Sequence, residues 1–266
     1  MTLEDMLRVS FEASIFFIVF KLGTAANAQS IFFLFERPSL LLRSVLSMSI
    51  IMPTCAVALA AALDLKTAVK WALVTLAISP VPPFLPMKQI NAGGSAPYAI
   101  SLLVVEALAA IVFVPGAVVL CGLVFHNDAH IGISTVMPII LATVLLPLAL
   151  GMLVRRFAPN LAEQISDPVG RVGSVLLLIG LACVLLINVG GMVSLFGDGT
   201  IVAIVTFSVL GMVVGHALGG PKHAERAVLA LASATRHPGA ALAIVTANCR
   251  ATNRRWLQFC YLSSSA

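Results

Sequence analysis

Charge is what this chain has least of. Only 10% of its 266 residues are charged and 60% are hydrophobic. A soluble globular chain carries about 25% charged residues. So little polar surface excludes a water-soluble fold. Closely spaced cysteines are lacking too. Cys55, Cys121, Cys183, Cys249 and Cys260 stand far apart, and four of them lie in or beside apolar runs. That argues against a disulfide framework and a zinc site, and for buried free thiols. No basic stripe with interleaved aromatics accompanies the net charge of +5, so nucleic acid is not an expected partner. The acidic start "MTLEDMLRVS" lacks the basic region and small-residue cleavage site of a signal peptide. No HExxH or GxSxG stands in a suitable context. A membrane-embedded enzyme is therefore the weaker reading, and no catalytic residue is assigned.

What the chain has is long apolar runs. Crossing a hydrocarbon core of about 30 Å takes about 20 apolar residues in a helix. Eight such segments run roughly over 7–24, 39–63, 67–90, 97–125, 134–154, 172–196, 200–218 and 223–248. The connections are short and leave no room for a soluble domain. The expected fold class is an all-α polytopic membrane protein, one membrane domain over 1–250. Orientation follows the distribution of lysine and arginine. Placing Arg155, Arg156 and Arg171 inside also brings Lys21, Arg37, Arg43, Lys88, Lys222 and Arg226 inside, nine of the sixteen basic residues. The N-terminus then lies outside. The tail 250–266, "RATNRRWLQFCYLSSSA", abruptly loses apolar character. It reads either as a natural end or as the loss of a last spanning helix through a frameshift or truncation.

Many transporters consist of inverted repeats, with sites at discontinuous helices. The third and eighth segments align without a gap. In "KTAVKWALVTLAISPVPPF" and "KHAERAVLALASATRHPGA", Lys66 meets Lys222, Lys70 meets Arg226, Ser79 meets Thr235, and Pro82–Pro83 meets Pro238–Gly239. Their places in the order differ by five, so they cross in opposite directions. Proline removes an amide donor and clashes with the preceding turn. In lipid such a break is tolerated only within protein or against a water-filled cavity. Breaks at Pro80, Pro82, Pro83 and Pro86, matched at Pro238 and Gly239, predict a shared polar centre.

With these motifs in view, the chain resembles the bile acid:sodium symporter family, in its bacterial sodium-dependent-transporter-like members. The resemblance rests on "FKLGTAANAQSIFFLFERPSLLLRSVLSMSIIMPTCAVALA", "ISPVPPFLPMKQINAGGSAPYAISL" and "LASATRHPGAALAI", in that order. It covers most of 7–248 and implies inverted repeats at about 7–125 and 134–249. It implies core helices within 39–125 and 200–249, and panel helices at 7–24 and 134–196. A small organic anion would move by alternating access between the two parts. The same resemblance exposes departures. Leu85 and Pro86 stand where the family has a Ser-Asn pair, and Ala234, Pro238 and Gly239 where it has glutamate and Gln-Asn. Sodium prefers oxygen ligands, and these side chains supply none. The family's usual side-chain ligands for sodium are thus replaced, and coupling to sodium, to protons or to neither is left open.

Arg236 sits in the second break, where a charge costs at least about 2.5–3.5 kcal/mol. It reads as a ligand for an anionic substrate group, as an occupant of the place sodium would fill, or as a structural charge. His237, Thr235, Pro82 and Asn188 complete the candidate substrate contacts. Glu106, the one acidic residue near the middle of an apolar segment, reads as the partner of Arg236 or as a proton carrier. The function expected is secondary transport of small organic anions, with bile-acid-like, carboxylate or sulfonate solutes as candidates. A non-transporting remnant of such a transporter, or a channel, would fit the same apolar segments. The setting implied is the bacterial inner membrane, with the lipid bilayer and the organic anion as partners. No cofactor or metal ligand set is assigned, and a homo-oligomer is left open.

Overall fold

Long apolar helices dominate the structure, a computed structural model that describes residues 3–124, 133–187 and 199–236. In chain order they are α1 Leu3–Ala25, α2 Ala28–Phe32, α3 Pro38–Val45, α4 Met52–Ala62, α5 Thr67–Ile78, α6 Leu85–Asn91 and α7 Ala96–Val124. There follow α8 Ile133–Ile140, α9 Leu146–Phe157, α10 Pro159–Ile187, α11 Thr200–Leu218 and α12 His223–Ala234. No strand occurs among the described residues. The protein is an all-α membrane protein. Five helical spans are long and apolar enough to cross a bilayer: Pro38–Ala62, Ala96–Leu120, Val136–Phe157, Pro159–Cys183 and Thr200–Leu218. Helix α1 and the two proline-broken segments fall outside that set.

Proline sets the local irregularities. Between α3 and α4 the helix widens into a π-helical stretch, Leu46–Ile51, just before Pro53. Between α8 and α9 it does so again over Leu141–Leu145, just before Pro147. A proline ring collides with the carbonyl four residues back, and a wider turn relieves that collision. In both places the donor reaches back five residues, from Met52 to the Ser47 carbonyl and from Leu146 to the Leu141 carbonyl. Helix α10 begins at Pro159, several turns before the apolar run expected from 172. Its polar first turns pack on the end of α1, where Lys21 reaches Asp167 at 2.8 Å and Thr24 donates to Ser166 at 3.0 Å.

Two groups of helices form. Helix α1 packs along α9 and α10, while α11 packs along α12 and touches α4, which in turn lies on α5. Helix α7, the most buried of the five spans, joins them. Its Ile100, Leu103, Val104 and Val114 pack with Val19 and Leu22 of α1 and Val144 and Leu148 near α9. Its Tyr98 and Leu102 pack with Leu34, Met48, Leu85 and Leu229. One end is fastened by charge. Arg37, 43% exposed, donates at 2.7 Å to Glu225, only 4% exposed, at the start of α12. The same guanidinium lies 4.4 Å from the Phe33 ring centre, Phe33 stacks on Tyr98, and the Tyr98 and Ser44 hydroxyls share a hydrogen bond.

The α11–α12 contact depends on missing side chains. A Cβ at Gly211 would come within 2.6 Å of the Ser233 carbonyl oxygen, and one at Gly215 would run into the Leu229 carbonyl oxygen. Small residues of this kind let membrane helices approach backbone to backbone. Gly211→Leu is expected to destabilise the protein by about 1–3 kcal/mol, read as a lower unfolding midpoint in detergent. Gly116→Ala, whose Cβ meets nothing within 4 Å, is expected to leave the midpoint unchanged. Equal midpoints for the two variants would contradict the close approach.

Candidate functional site

The two segments aligned in sequence fold alike up to their breaks. Helix α5 starts after Lys66 and ends at Ser79, while α12 starts after Lys222 and ends at Thr235. Each is 12 residues long, and each ends in an extended residue, ψ 147° at Ser79 and ψ 130° at Thr235. Their boundaries coincide in the gapless alignment. After Ser79 the chain cannot continue as a helix, because Pro80, Pro82 and Pro83 have no N–H to give. It restarts as α6 with the Leu85 N–H on the Pro82 carbonyl at 2.9 Å and Pro86 in its first turn. The turn after α6 uses Gly93 at φ 83°, and the Gly94 N–H returns to the Gln89 carbonyl at 2.8 Å.

Helix α12 is docked on the first broken segment. Gln89, fully buried, donates to the Val228 carbonyl at 2.8 Å. The Ser95 N–H reaches the Ala224 carbonyl at 3.2 Å, and Ser47 and Ser233 share a hydrogen bond of 2.8 Å. Two residues beyond the end of α12, Arg236 turns inward and is 6% exposed. Its Nη2 donates to the Met48 carbonyl at 2.8 Å and its Nη1 to the Ser79 carbonyl at 3.4 Å.

The choice of those two acceptors has a common cause. In the widened register before Pro53, the Met48 carbonyl faces the nitrogen of Pro53, which carries no hydrogen. At the end of α5, the Ser79 carbonyl would meet Pro82 at a 3₁₀ spacing and Pro83 at an α spacing, and neither has an N–H. Prolines therefore orphan both oxygens, and the guanidinium supplies donors to both. Leaving a buried acceptor unpaired costs about 1–3 kcal/mol. Two of them match the cost of about 2.5–3.5 kcal/mol for a mid-membrane arginine.

Glu106 lies on α7 and is 4% exposed. Its Oε1 has no hydrogen-bond partner, and neither has Arg236 Nε. The two side chains lie within electrostatic reach of each other. They do not form a direct ion pair, because the guanidinium is turned toward main-chain oxygens. Pro82, Pro83 and Pro86 are buried, while Pro80 and Thr235 are half-buried at the helix ends. His237, Pro238, Gly239 and Asn188 lie outside the described residues, as does the tail. Met48, Pro53, Ser47 and Ser233 were not singled out in the sequence, and Ser79 entered only as the counterpart of Thr235. The proline spacing in "MSIIMP" and "SPVPP" was the available signal for the two orphaned carbonyls. Among the described residues no group of three or more His, Cys, Asp or Glu could hold a metal.

A helical membrane protein with a proline-broken segment and a buried charge at the break belongs, as a class, with solute transporters. The family comparison agrees: the model of the Sodium Bile acid symporter family matches residues 13–198. The chain belongs to the sodium bile acid symporter family, and is a multi-pass membrane transporter of that type, acting on a small solute. The match takes in the first break and Glu106, and ends before α12 and Arg236. No curated protein matches the chain.

Arg236→Met removes both donors and is expected to destabilise the protein. In a Pro53→Ala background the new N–H can serve the Met48 carbonyl, so the same substitution costs less. The double-mutant cycle of detergent unfolding midpoints should give a coupling of about 0.5–3 kcal/mol. Strict additivity would mean that Pro53 is not why Met48 needs Arg236.

Proposed function

We propose that the chain carries small organic anions, carboxylates or sulfonates of bile-acid-like character, by alternating access and without a sodium requirement. One observation carries this reading: a buried arginine just past α12, bonded to the Ser79 carbonyl at the first proline break and to the Met48 carbonyl before Pro53. The matched boundaries of α5 and α12 support an inverted repeat, and the two packing groups support a core moving against a panel. Fixed positive charge at such a junction raises the local concentration of anions. Thr235 and Pro82 border the junction in the described structure. His237 and Asn188 remain candidates for contact with the solute on sequence grounds. The setting proposed is the bacterial inner membrane, N-terminus outside.

The absence of a sodium requirement follows from the donors at the junction. Leu85 and Pro86 are both buried, and neither side chain offers an oxygen. The main-chain oxygens of Met48 and Ser79 are already bonded to a cation that belongs to the chain.

Uptake of labelled organic anions into proteoliposomes tests the proposal. Uptake is expected for at least one carboxylate or sulfonate, at the same rate when external sodium is replaced by choline. Strict sodium dependence would sink the sodium-free reading. No uptake across a panel of anions would favour a non-transporting remnant.

A further inference from the structure

We propose that the corner between α2 and α3, together with the start of α12, seats the headgroup of an anionic phospholipid of the singly charged phosphatidylglycerol type. The seat is an arginine and a lysine that face outward beside two bare phenylalanine rings. It lies at the opposite end of α12 from Arg236 and does not depend on what the protein carries.

The corner is firmly held, so its exposure is built in. Asn27 caps α2, its Oδ1 accepting from the Ser30 N–H at 2.7 Å. The Leu34 N–H donates to Ser101 Oγ on α7 at 3.0 Å, and that hydroxyl donates to the Ile31 carbonyl at 2.7 Å. Leu34 is fully buried as a result. On the other side of the same turn stand Phe32 and Phe35, 56% and 50% exposed, with ring centres 6.2 Å apart. Two adjacent bare rings suit the boundary between headgroups and acyl chains, where apolar faces of interfacial segments insert.

Charge stands beside them. Arg37 donates through Nη1 to Glu225 at 2.7 Å while 43% of its side chain stays exposed. A guanidinium has five N–H groups, so its outer edge is left to bind. The Glu225 N–H bonds to the Lys222 carbonyl at 3.0 Å, which places exposed Lys222 within one helical turn of the pair. Arg226, half-buried, is held through Nε to the Gly220 carbonyl at 2.8 Å. Against these three cations stand buried Glu225 and exposed Glu36, which joins no ion pair among the described residues. The excess of one positive charge matches one phosphodiester, and arginine reads phosphate oxygens with paired N–H groups. Basic clusters at the end of membrane helices are the chemistry of anionic-lipid recognition. A soluble acidic partner would match the charge but leave the two rings in water.

The full chain, purified in detergent, is heated with added phosphatidylglycerol, phosphatidylcholine or glycerol phosphate. Phosphatidylglycerol is expected to raise the unfolding midpoint by about 5 °C over phosphatidylcholine near saturation, and glycerol phosphate to leave it unchanged. The rise should fade as salt is added. Lys222→Gln should weaken the apparent affinity for phosphatidylglycerol about fivefold, and Phe32→Ser combined with Phe35→Ser should weaken it too. Each response is read against the variant's own midpoint in phosphatidylcholine, so a loss of basal stability does not obscure it. Lipid retention in native mass spectrometry gives a second reading for a variant that unfolds too early to titrate. Arg156→Gln removes an equal charge from the exposed end of α9 and should leave the affinity unchanged. The proposal is overturned if the two lipids act alike, or if glycerol phosphate does as well as the lipid. It is equally overturned if Arg156→Gln weakens binding as much as Lys222→Gln, which would leave only a general attraction to a basic end.

Discussion

A carbonyl without a donor is the constraint on which this interior depends. In a bilayer no water reaches the backbone, so every peptide oxygen must find its partner within the protein. This chain places prolines where two oxygens then have none locally, at Met48 and at Ser79. A single guanidinium answers both. The arrangement links three stretches far apart in sequence: the widened helix before α4, the end of α5 and the end of α12. It also makes two expensive features tolerable together. A mid-membrane arginine and two unpaired carbonyls cost similar amounts separately, and bonding them to one another lowers both costs.

The same logic accounts for how the surrounding helices are held. Gln89 sends its amide to the Val228 carbonyl, and Ser47 meets Ser233. Far from the break, Arg37 on Glu225 fixes the start of α12. Helix α12 is thus pinned at its start by an ion pair, along its length by Gln89 and the glycine face of α11, and at its end by Arg236. A short 12-residue helix with so many fixed points delivers its last residue to a defined place.

Much of this was legible in the sequence, and the reason is periodic and chemical. Apolar runs near bilayer length gave α7 and α11 nearly to the residue, because nothing else competes with hydrophobic length in such a chain. The gapless alignment paired Ser79 with Thr235, and these two residues are where α5 and α12 stop, although the apolar runs had been read through to 90 and 248. Helix α10 was misjudged at its start. Residues 159–171 include Asn160, Glu163, Asp167 and Arg171 and look like a loop, yet they form polar helical turns satisfied by contacts such as Lys21 with Asp167 and Arg155 with Glu163. Arg236 and Glu106 stood out as charges amid apolar residues. Their separate attachments did not, because a main-chain acceptor has no residue type of its own. Only the absence of a donor, read from proline spacing, betrays it.

A tethered cation has different energetics from a dissolved one. A ligand shifts a conformational equilibrium only by its difference in affinity between the two states. A free ion also contributes the free energy of its gradient each time it is taken up on one side and released on the other. On the proposed reading Arg236 can do the first and never the second. It can favour whichever state keeps its two carbonyls in reach, but it never leaves, so it brings no gradient with it. A carrier built this way would draw on the gradient of its solute, on exchange of one anion for another, or on protons. On that reading, the arginine that answers the orphaned carbonyls also removes the sodium gradient as a source of driving force.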